Sequence, residues 1–446
     1  MTDRPWTGRR LHFVGIGGAG MNGWARVSAQ LGATVTGSDR ADSPVLARLR
    51  EAGIDARAGH DAANLPAGDD VEVVLSTAIP ADNPERVAAI ERGLRVMPRA
   101  ELLGELTALK KVIAVAGAHG KTTTTSMTAH VLLGAGLDPG YLIGGELRTT
   151  GLNAAWGSGD WLVVEADESD RSMLALDVDV AVLTNVELDH HATFGSLAEL
   201  EADYRTFLAG APQAIVWDRP ELLLLRGAGE VVSYEAHDVE LHDGGSRFDW
   251  RGHAVELRVP GLHNARNAVG ALEAAALAGA DPAAAAGALA GFRGAGRRFE
   301  RVGTTSSGAL VVDDYAHHPT EVAATIDAAR TLAGAERVWA VFQPHLFSRT
   351  ALLAREFGAA LARADVVALL DVYPARERAA DFPGVTGLLV AEAAADAAAG
   401  RPVLWLPDFA AAERALGAVL RAGDLCLVLG AGDVDGLGRR LVAGAV

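Results

Sequence analysis

Short apolar runs recur along the chain, each followed by glycines or acids and then by a helix-compatible stretch. The first is Leu11-His12-Phe13-Val14, after which residues 19–31 suit a helix. Ala33-Thr34-Val35-Thr36 and Val71-Glu72-Val73-Val74-Leu75 continue that series. A second series starts at Val112-Ile113-Ala114-Val115-Ala116 and runs through Trp161–Glu165 and Val180–Thr184. A third opens after Gly294-Ala295-Gly296-Arg297-Arg298, with strands expected at 310–313, 338–342, 366–370 and 425–429. Strands that alternate with helices imply parallel sheets covered on both faces. Alternating residues at 231–234 and 254–257 predict a small antiparallel insertion. The pattern therefore predicts three α/β domains with boundaries near 109 and 297.

Length agrees, since 446 residues at about 150 per domain is roughly three domains. The formal charge is −17, from 57 acids against 40 bases. Such a surface repels polyphosphate, so neither nucleic acid nor an anionic membrane is an expected partner. A phosphate ligand must instead meet a local pocket of backbone amides and a few cations. The single cysteine, Cys426, excludes an internal disulfide and reads as a small buried hydrophobe within Leu425–Leu429. No apolar leader follows Met1, and no uncharged run of about 18 apolar residues occurs. The expectation is a cytoplasmic protein without membrane insertion, as monomer or homodimer. Lys110, Lys111 and Lys121 are the only lysines. Biased coding explains that scarcity, and it draws attention to the lysines that remain.

Gly117-Ala118-His119-Gly120-Lys121-Thr122-Thr123 lies between an apolar strand and a helix-like segment, the context that gives a phosphate loop its meaning. Its glycines let backbone N–H groups point at one anion, the helix start adds a positive dipole, and Lys121 adds a full charge. The Thr122 hydroxyl is placed to hold Mg²⁺. Position 115 is Val, so this is a shortened G-x-x-G-K-T loop. Gly15-Ile16-Gly17-Gly18-Ala19-Gly20 also joins a strand to a helix, and Asp39 ends the next strand. Taken alone, that pair supports a nicotinamide or flavin enzyme, although such a loop binds any diphosphate in the same way.

Glu165-Ala166-Asp167-Glu168-Ser169-Asp170 begins at a strand's C-terminal end. Four acids so close repel unless cations neutralise them, which requires a metal or a solvated turn. Asn185-Val186-Glu187-Leu188-Asp189-His190 brings a second group to the same rim. With Lys121, these segments form the parts of a Mg²⁺–ATP site. Asp313–Thr320 and Phe342–Thr350 also follow strands and suggest a small-molecule pocket, though helix caps and surface turns explain either segment equally well.

Ten runs in order then resemble the Mur ligases of bacterial cell-wall synthesis: His12–Gly20, Gly117–Thr125, Glu165–Ser172, Asn185–His190, Pro260–Ala268, Gly294–Glu300, Asp313–Glu321, Phe342–Thr350, Asp371–Glu377 and Gly430–Asp433. They reach from position 12 to 433, and the likeness is greatest to the branch that adds L-alanine to UDP-N-acetylmuramate. The resemblance implies an α/β protein of three domains. An N-terminal Rossmann-like domain (1–108) would bind the UDP-sugar. A central P-loop ATPase-like parallel sheet (109–296) would bind ATP. A C-terminal Rossmann-like domain (297–446) would complete the site on closure.

It also implies roles. Gly15, Gly17, Gly18 and Gly20, with Asp39, would face the UDP-sugar. Gly117, Ala118, His119, Gly120, Lys121, Thr122 and Thr123 would hold the ATP phosphates. Thr122 and Glu165 would ligate one Mg²⁺, and His190 would help to bind a second, making Lys121, Glu165 and His190 the catalytic set. Asn267 would contact adenine and Arg298 would reach the nucleotide. Tyr315, His317, His345 and Arg349 would line the amino-acid and muramyl end. The implied reaction joins L-alanine to the UDP-N-acetylmuramate carboxylate through an acyl phosphate, releasing ADP and phosphate. A related ligase adding another amino acid or a recycled peptide is the near alternative. An NAD-dependent oxidoreductase is the distant one, and it leaves the Lys121 loop unexplained. Two departures stand out: no lysine after 121 can serve as the carbamylated lysine of several relatives, and Leu346 replaces a basic residue common beside the histidine.

Overall fold

The computed structural model describes residues 4–190, 193–332 and 334–444. Its first sheet consists of β1 (Arg10–Val14), β2 (Thr34–Asp39), β3 (Asp55–Ala58), β4 (Val71–Leu75) and β5 (Arg95–Pro98), all parallel, in the order β3-β2-β1-β4-β5. The strand order reverses at β1, which places the crevice for a ligand beyond its C-terminal end. The second sheet contains β6 (Lys111–Ala116), β7 (Gly140–Leu147), β8 (Leu152–Ala155), β9 (Trp161–Glu165), β10 (Val180–Leu183), β11 (Gln213–Trp217) and β12 (Val231–Tyr234). Its order is β12-β11-β10-β6-β9-β7-β8, and only the β7–β8 pair is antiparallel. β6 therefore runs between β9 and β10, and the three strand ends carry the phosphate loop, the acid loop and the Asn185–His190 segment to one rim.

The chain divides into two compact units. The first runs through Glu235 and takes in 267–288; the second comprises 236–266 and 289–446. Both sheets above belong to the first unit because their cores are continuous. Leu11, Phe13, Met21 and Trp24 join Ala154, Leu162 and Val164 in one buried cluster. The helix Ala19–Gln30, which starts at the Gly15–Gly20 loop, lies on the β7–β8 hairpin. There Asn153 Nδ2 donates to Asn22 Oδ1 at 2.8 Å and the Trp156 N–H donates to Gln30 Oε1 at 2.8 Å.

The second unit holds an antiparallel sheet of β13 (Glu240–His242), β14 (Gly245–Trp250) and β15 (His253–Leu257). It also holds β16 (Glu300–Thr304), β17 (Leu310–Asp314), β18 (Arg337–Phe342), β19 (Val366–Leu369), β20 (Val403–Trp405) and β21 (Asp424–Leu429), in the order β16-β17-β21-β18-β19-β20. Only the β16–β17 pair is antiparallel in that sheet. Val312, Leu425 and Leu427 enter one core cluster while Val311, Cys426 and Val428 enter another, so both faces are covered. Cys426 is fully buried, and burial, with Asp424 adding to it, pushes its thiol up to about 12. One expectation needs correction. Val231–Tyr234 is not part of the antiparallel insertion; it pairs in parallel with β11 at the edge of the central sheet, and the insertion begins at β13. Among the described residues, no helix is long and apolar enough to cross a membrane.

Under the Gly15–Gly20 loop lies a buried polar network that the apolar pattern gave no sign of. His12 Nε2 meets Glu85 Oε2 at 2.8 Å, and the Ser38 hydroxyl donates to the same carboxylate at 2.7 Å. Asn64 Nδ2 donates to Glu85 Oε1 at 3.1 Å. Burial raises the Glu85 pKa, but the bonds from His12, Ser38 and Asn64 outweigh it and bring it down to about 2. A carboxyl depressed in the fold contributes stability that is complete above its ordinary 4.5 and is lost as pH falls towards about 2. Glu85→Gln should cost about 2 kcal/mol at pH 7, the scale of a hydrogen bond to a charged group. Denaturant unfolding should show that deficit shrinking between pH 4.5 and 2; an equal deficit at both ends contradicts the network's role.

Candidate active site

Lys121 is the first residue of the helix Lys121–Gly134, which directly follows the phosphate loop. Its Nζ donates to Gly117 O at 2.6 Å, to Ala118 O at 3.2 Å and to Glu168 Oε1 at 2.8 Å. Burial disfavours the ammonium, but Glu168, with Asp167 and Glu165 nearby, outweighs burial and raises its pKa. The charge is thus present and fixed before any ligand arrives. The loop's return is tied to β10: Asn185 Oδ1 accepts from the His119 N–H at 2.9 Å, and Asn185 Nδ2 and Thr184 Oγ1 donate to His119 O at 2.8 and 2.6 Å. Gly120, at φ 81°, occupies the left-handed region and has no room for a side chain. A Cβ there would stand 2.7 Å from Asn267 Oδ1, so Asn267 lies against the phosphate loop.

Thr122 Oγ1 donates to Glu165 Oε1 at 2.8 Å, bringing together two of the expected metal ligands. Glu165 Oε2 accepts from the Gly144 N–H of β7 at 2.7 Å. His190 Nε2 is 3.4 Å from Glu168 Oε1 and 3.8 Å from Asp189 Oδ2. Its backbone is left-handed, with φ 54°, a strain of about 1–3 kcal/mol of the kind that clusters at functional sites. Glu168 Oε2 is buried without a hydrogen-bond partner among the described residues. Hydroxyl and carboxylate oxygens with an unused acceptor are the donor set that Mg²⁺ favours.

Besides Gly144, two residues at this rim escaped sequence reasoning. Arg99, on the helix Arg99–Thr107, donates from Nε to Asp170 Oδ2 at 2.6 Å and from Nη2 to Asp167 Oδ2 at 2.9 Å. The four acids thus have a cation from the preceding domain, and its signal, one arginine among 37, was invisible. Burial lifts the Asp167 carboxyl, but Arg99 and Lys121 outweigh it and bring it to about 2. The Tyr204 hydroxyl is fully buried. Burial, then the charges of Glu168, Asp167 and Asp189, raise its pKa well above the usual value.

In the N-terminal sheet, the Gly15 and Ile16 N–H groups donate to Ser38 O at 2.8 and 2.9 Å. Asp39 Oδ2 accepts from the Gly17 N–H at 2.8 Å and Oδ1 from the Arg40 N–H at 2.8 Å. Asp39, expected to face the UDP-sugar, thus braces with its carboxylate the loop that Gly15, Gly17, Gly18 and Gly20 form.

The second unit gathers its own cluster at the ends of β17, β18 and β19. His317 meets the Tyr315 ring edge-on at 5.3 Å and the His345 ring at 6.2 Å, and His345 stacks on Tyr373 at 5.7 Å. Arg349 is buried and its Nη1 lies 3.3 Å from His345 Nδ1. A guanidinium only donates, so Nδ1 is the acceptor. Arg298 lies over the Tyr315 ring at 5.0 Å. Its neighbour Arg297 instead pins the Gly430 loop, donating to Gly430 O at 2.8 Å and Gly432 O at 3.0 Å. Leu346 adopts φ 71°.

Family models match three successive stretches: "Mur ligase family, catalytic domain" over residues 10–111, "Mur ligase middle domain" over 115–275 and "Mur ligase, glutamate ligase domain" over 297–432. A protein of Acidithiobacillus ferrooxidans named UDP-N-acetylmuramate–L-alanine ligase is 46% identical, with 97% of each chain covered.

The chain belongs to the Mur ligase family.

Another Mur ligase of the same name, from Kineococcus radiotolerans, is 48% identical over 96% of this chain and 94% of its own. The solved structure of UDP-N-acetylmuramate–alanine ligase from Thermotoga maritima superposes with a TM-score of 0.83 at 27% identity, covering 97% of this chain and 98% of that one. A murein peptide ligase from Psychrobacter arcticus follows at 0.73 and 27%, covering 98% and 100%. Membership in the family makes the chain an ATP-dependent ligase and removes the oxidoreductase alternative.

In this Mur ligase the Gly144 N–H holds Glu165, and a Cβ at 144 would stand 2.7 Å from Glu165 Oε2. Gly144→Ala should displace that carboxylate and raise the Mg²⁺ concentration for half-maximal activity about tenfold, or ~1.4 kcal/mol. Its melting temperature should change little. An unaltered Mg²⁺ requirement contradicts the assignment of Glu165.

Proposed function

We propose that this chain joins L-alanine to the lactyl carboxylate of UDP-N-acetylmuramate at the expense of ATP, in the making of peptidoglycan precursors in the cytoplasm. The observation behind this reading is the end-to-end likeness to ligases of that name, at 43–48% identity over nearly the whole chain. The division at 108/109 and 296/297 assigns the UDP-sugar to the first domain, ATP to the second and the amino acid to the third.

The chemistry explains the residues. A carboxylate does not react with an amine at neutral pH, because oxide is too poor a leaving group. One carboxylate oxygen attacks the γ-phosphorus, and the bond to the β–γ bridging oxygen breaks, giving ADP and an acyl phosphate. The alanine amine then attacks the acyl carbon, phosphate leaves and the nitrogen loses a proton, so an amide results. The first step moves negative charge onto the transferring group, and the protein supplies positioning and electrostatic stabilisation. Lys121 is already ionised and held by Gly117 O and Glu168 at the loop that cradles the phosphates. Thr122 and Glu165 would hold Mg²⁺, with His190 and Glu168 available to a second ion; bound there, Mg²⁺ would neutralise phosphate charge. Gly15–Gly20 would cradle the UDP diphosphate. Asn267, beside Gly120, would contact the base of ATP, and Arg298 would reach the nucleotide. Tyr315, His317, His345 and Arg349 are assigned to the amino-acid and muramyl end, where a buried guanidinium suits a carboxylate.

The murein peptide ligase likeness supports a second reading, in which a recycled peptide replaces L-alanine. Phosphate release measured with ATP, Mg²⁺, UDP-N-acetylmuramate and each amino acid or peptide in turn separates the two. L-alanine should support the fastest release, and a tripeptide preference overturns the first reading. In the same assay Lys121→Ala should lose more than about 3 kcal/mol of transition-state stabilisation, the scale of one lost charge clamp. Activity within tenfold of wild type contradicts its role.

A further inference from the structure

The two anion-binding loops of the first compact unit are physically joined, and one side chain makes the junction. Arg99 is the first residue of the helix Arg99–Thr107, which packs on the segment following the acid loop; there the Asp177 N–H donates to Thr107 Oγ1 at 3.1 Å. The guanidinium uses Nε on Asp170 and Nη2 on Asp167. Its third nitrogen, Nη1, has no hydrogen bond to a described residue and lies 3.5 Å from where a Cβ on Gly20 would stand. Gly20 belongs to the diphosphate loop, and Trp24, one turn further along the same helix, lies under the guanidinium at 5.4 Å. The Arg99 side chain is only 15% exposed. On the other side, Asp167 is followed directly by Glu168, the carboxylate that holds Lys121.

We propose that Arg99 is a positioning residue that couples UDP-sugar binding to Mg²⁺–ATP binding, its free nitrogen meeting the anionic part of the sugar nucleotide while its other two hold the acid loop. The guanidinium is planar and rigid, so its three nitrogens cannot move independently. An anion drawn to Nη1 therefore fixes Nε and Nη2, and with them Asp167, Asp170 and the start of Glu168. A coupling of this kind is reciprocal: each ligand changes the other's affinity by the same factor. The inference rests on the ligase reading above and adds the device that makes one substrate sense the other.

Calorimetric titration of the full chain with Mg²⁺ and a non-hydrolysable ATP analogue, with and without saturating UDP-N-acetylmuramate, tests it. Wild type should bind the analogue at least about fivefold more tightly when the UDP-sugar is present, the lower end of ordinary allosteric factors. In Arg99→Lys, a point charge that cannot span three partners, the ratio should fall to within twofold of one. Asp170→Asn, which weakens one arm and leaves Arg99 in place, should lower the ratio as well and covers the case in which Arg99→Lys does not fold. A purely structural role would weaken the separate affinities or the melting temperature and leave the ratio unchanged. An unchanged ratio in both variants, or a wild-type ratio of one, overturns the coupling and leaves the ligase reading intact. A wild type that binds neither ligand, separately or together, refutes the ligase reading and the coupling with it.

Discussion

A buried ammonium held by a buried carboxylate is the constraint around which the central domain is arranged. Taking a lysine out of water alone costs several kcal/mol, and only a well-placed partner offsets it. Lys121 has Glu168 and two loop carbonyls. That requirement fixes the neighbourhood, because Glu168 must lie beside the phosphate loop and the strand before it must adjoin β6. The sheet order meets this with β9 on one side of β6 and β10 on the other. The β10 side brings Asn185 to the loop backbone and His190 to Glu168. A site built this way needs little rearrangement when charge moves onto a transferring phosphoryl group, and that is the source of electrostatic catalysis.

The N-terminal loop follows the same physics with backbone in place of side chains. Ser38 accepts two loop amides through its carbonyl and donates through its hydroxyl to the buried Glu85. Asp39 takes a third amide. The Gly15–Gly20 loop is thus stiffened from beneath by a buried carboxylate. Arg99 then ties that half of the unit to the acid loop.

Much of this arrangement was legible in the sequence where an apolar run ended in glycines or acids, although Gln213–Trp217, which ends at Asp218, was not read as a strand. The strands at 71–75, 161–165 and 231–234 match their predicted bounds, and the rest of the predicted strands shift by a residue or two or, at β2, extend further at the C-terminal end. Asp55–Ala58, Arg95–Pro98 and Val403–Trp405 were missed because each is three or four residues long and lies beside or at a sheet edge, where apolar alternation is weak. Val231–Tyr234 was placed in the insertion because a short alternating run carries no information about its pairing partner. At the site, Lys121, Thr122 and Glu165 were visible because they lie in contiguous motifs. Arg99, Gly144 and Tyr204 were not: they reach the rim by tertiary packing from the helix Arg99–Thr107, from β7 and from the helix Leu197–Gly210. Asp39 was seen correctly as a strand-end acid, but its work on the Gly17 amide depends on loop geometry that spacing does not encode.

The central claim is that this preformed cation site passes a phosphoryl group to a carboxylate. The direct measurement starts from UDP-N-acetylmuramate labelled with ¹⁸O in its lactyl carboxylate and follows the label during turnover with ATP and L-alanine. An acyl phosphate requires one carboxylate oxygen to leave with the phosphate, so mass spectrometry should find ¹⁸O in the released inorganic phosphate. Phosphate free of the label, with the heavy oxygen that leaves the carboxylate found in the nucleotide or in water instead, would contradict the account.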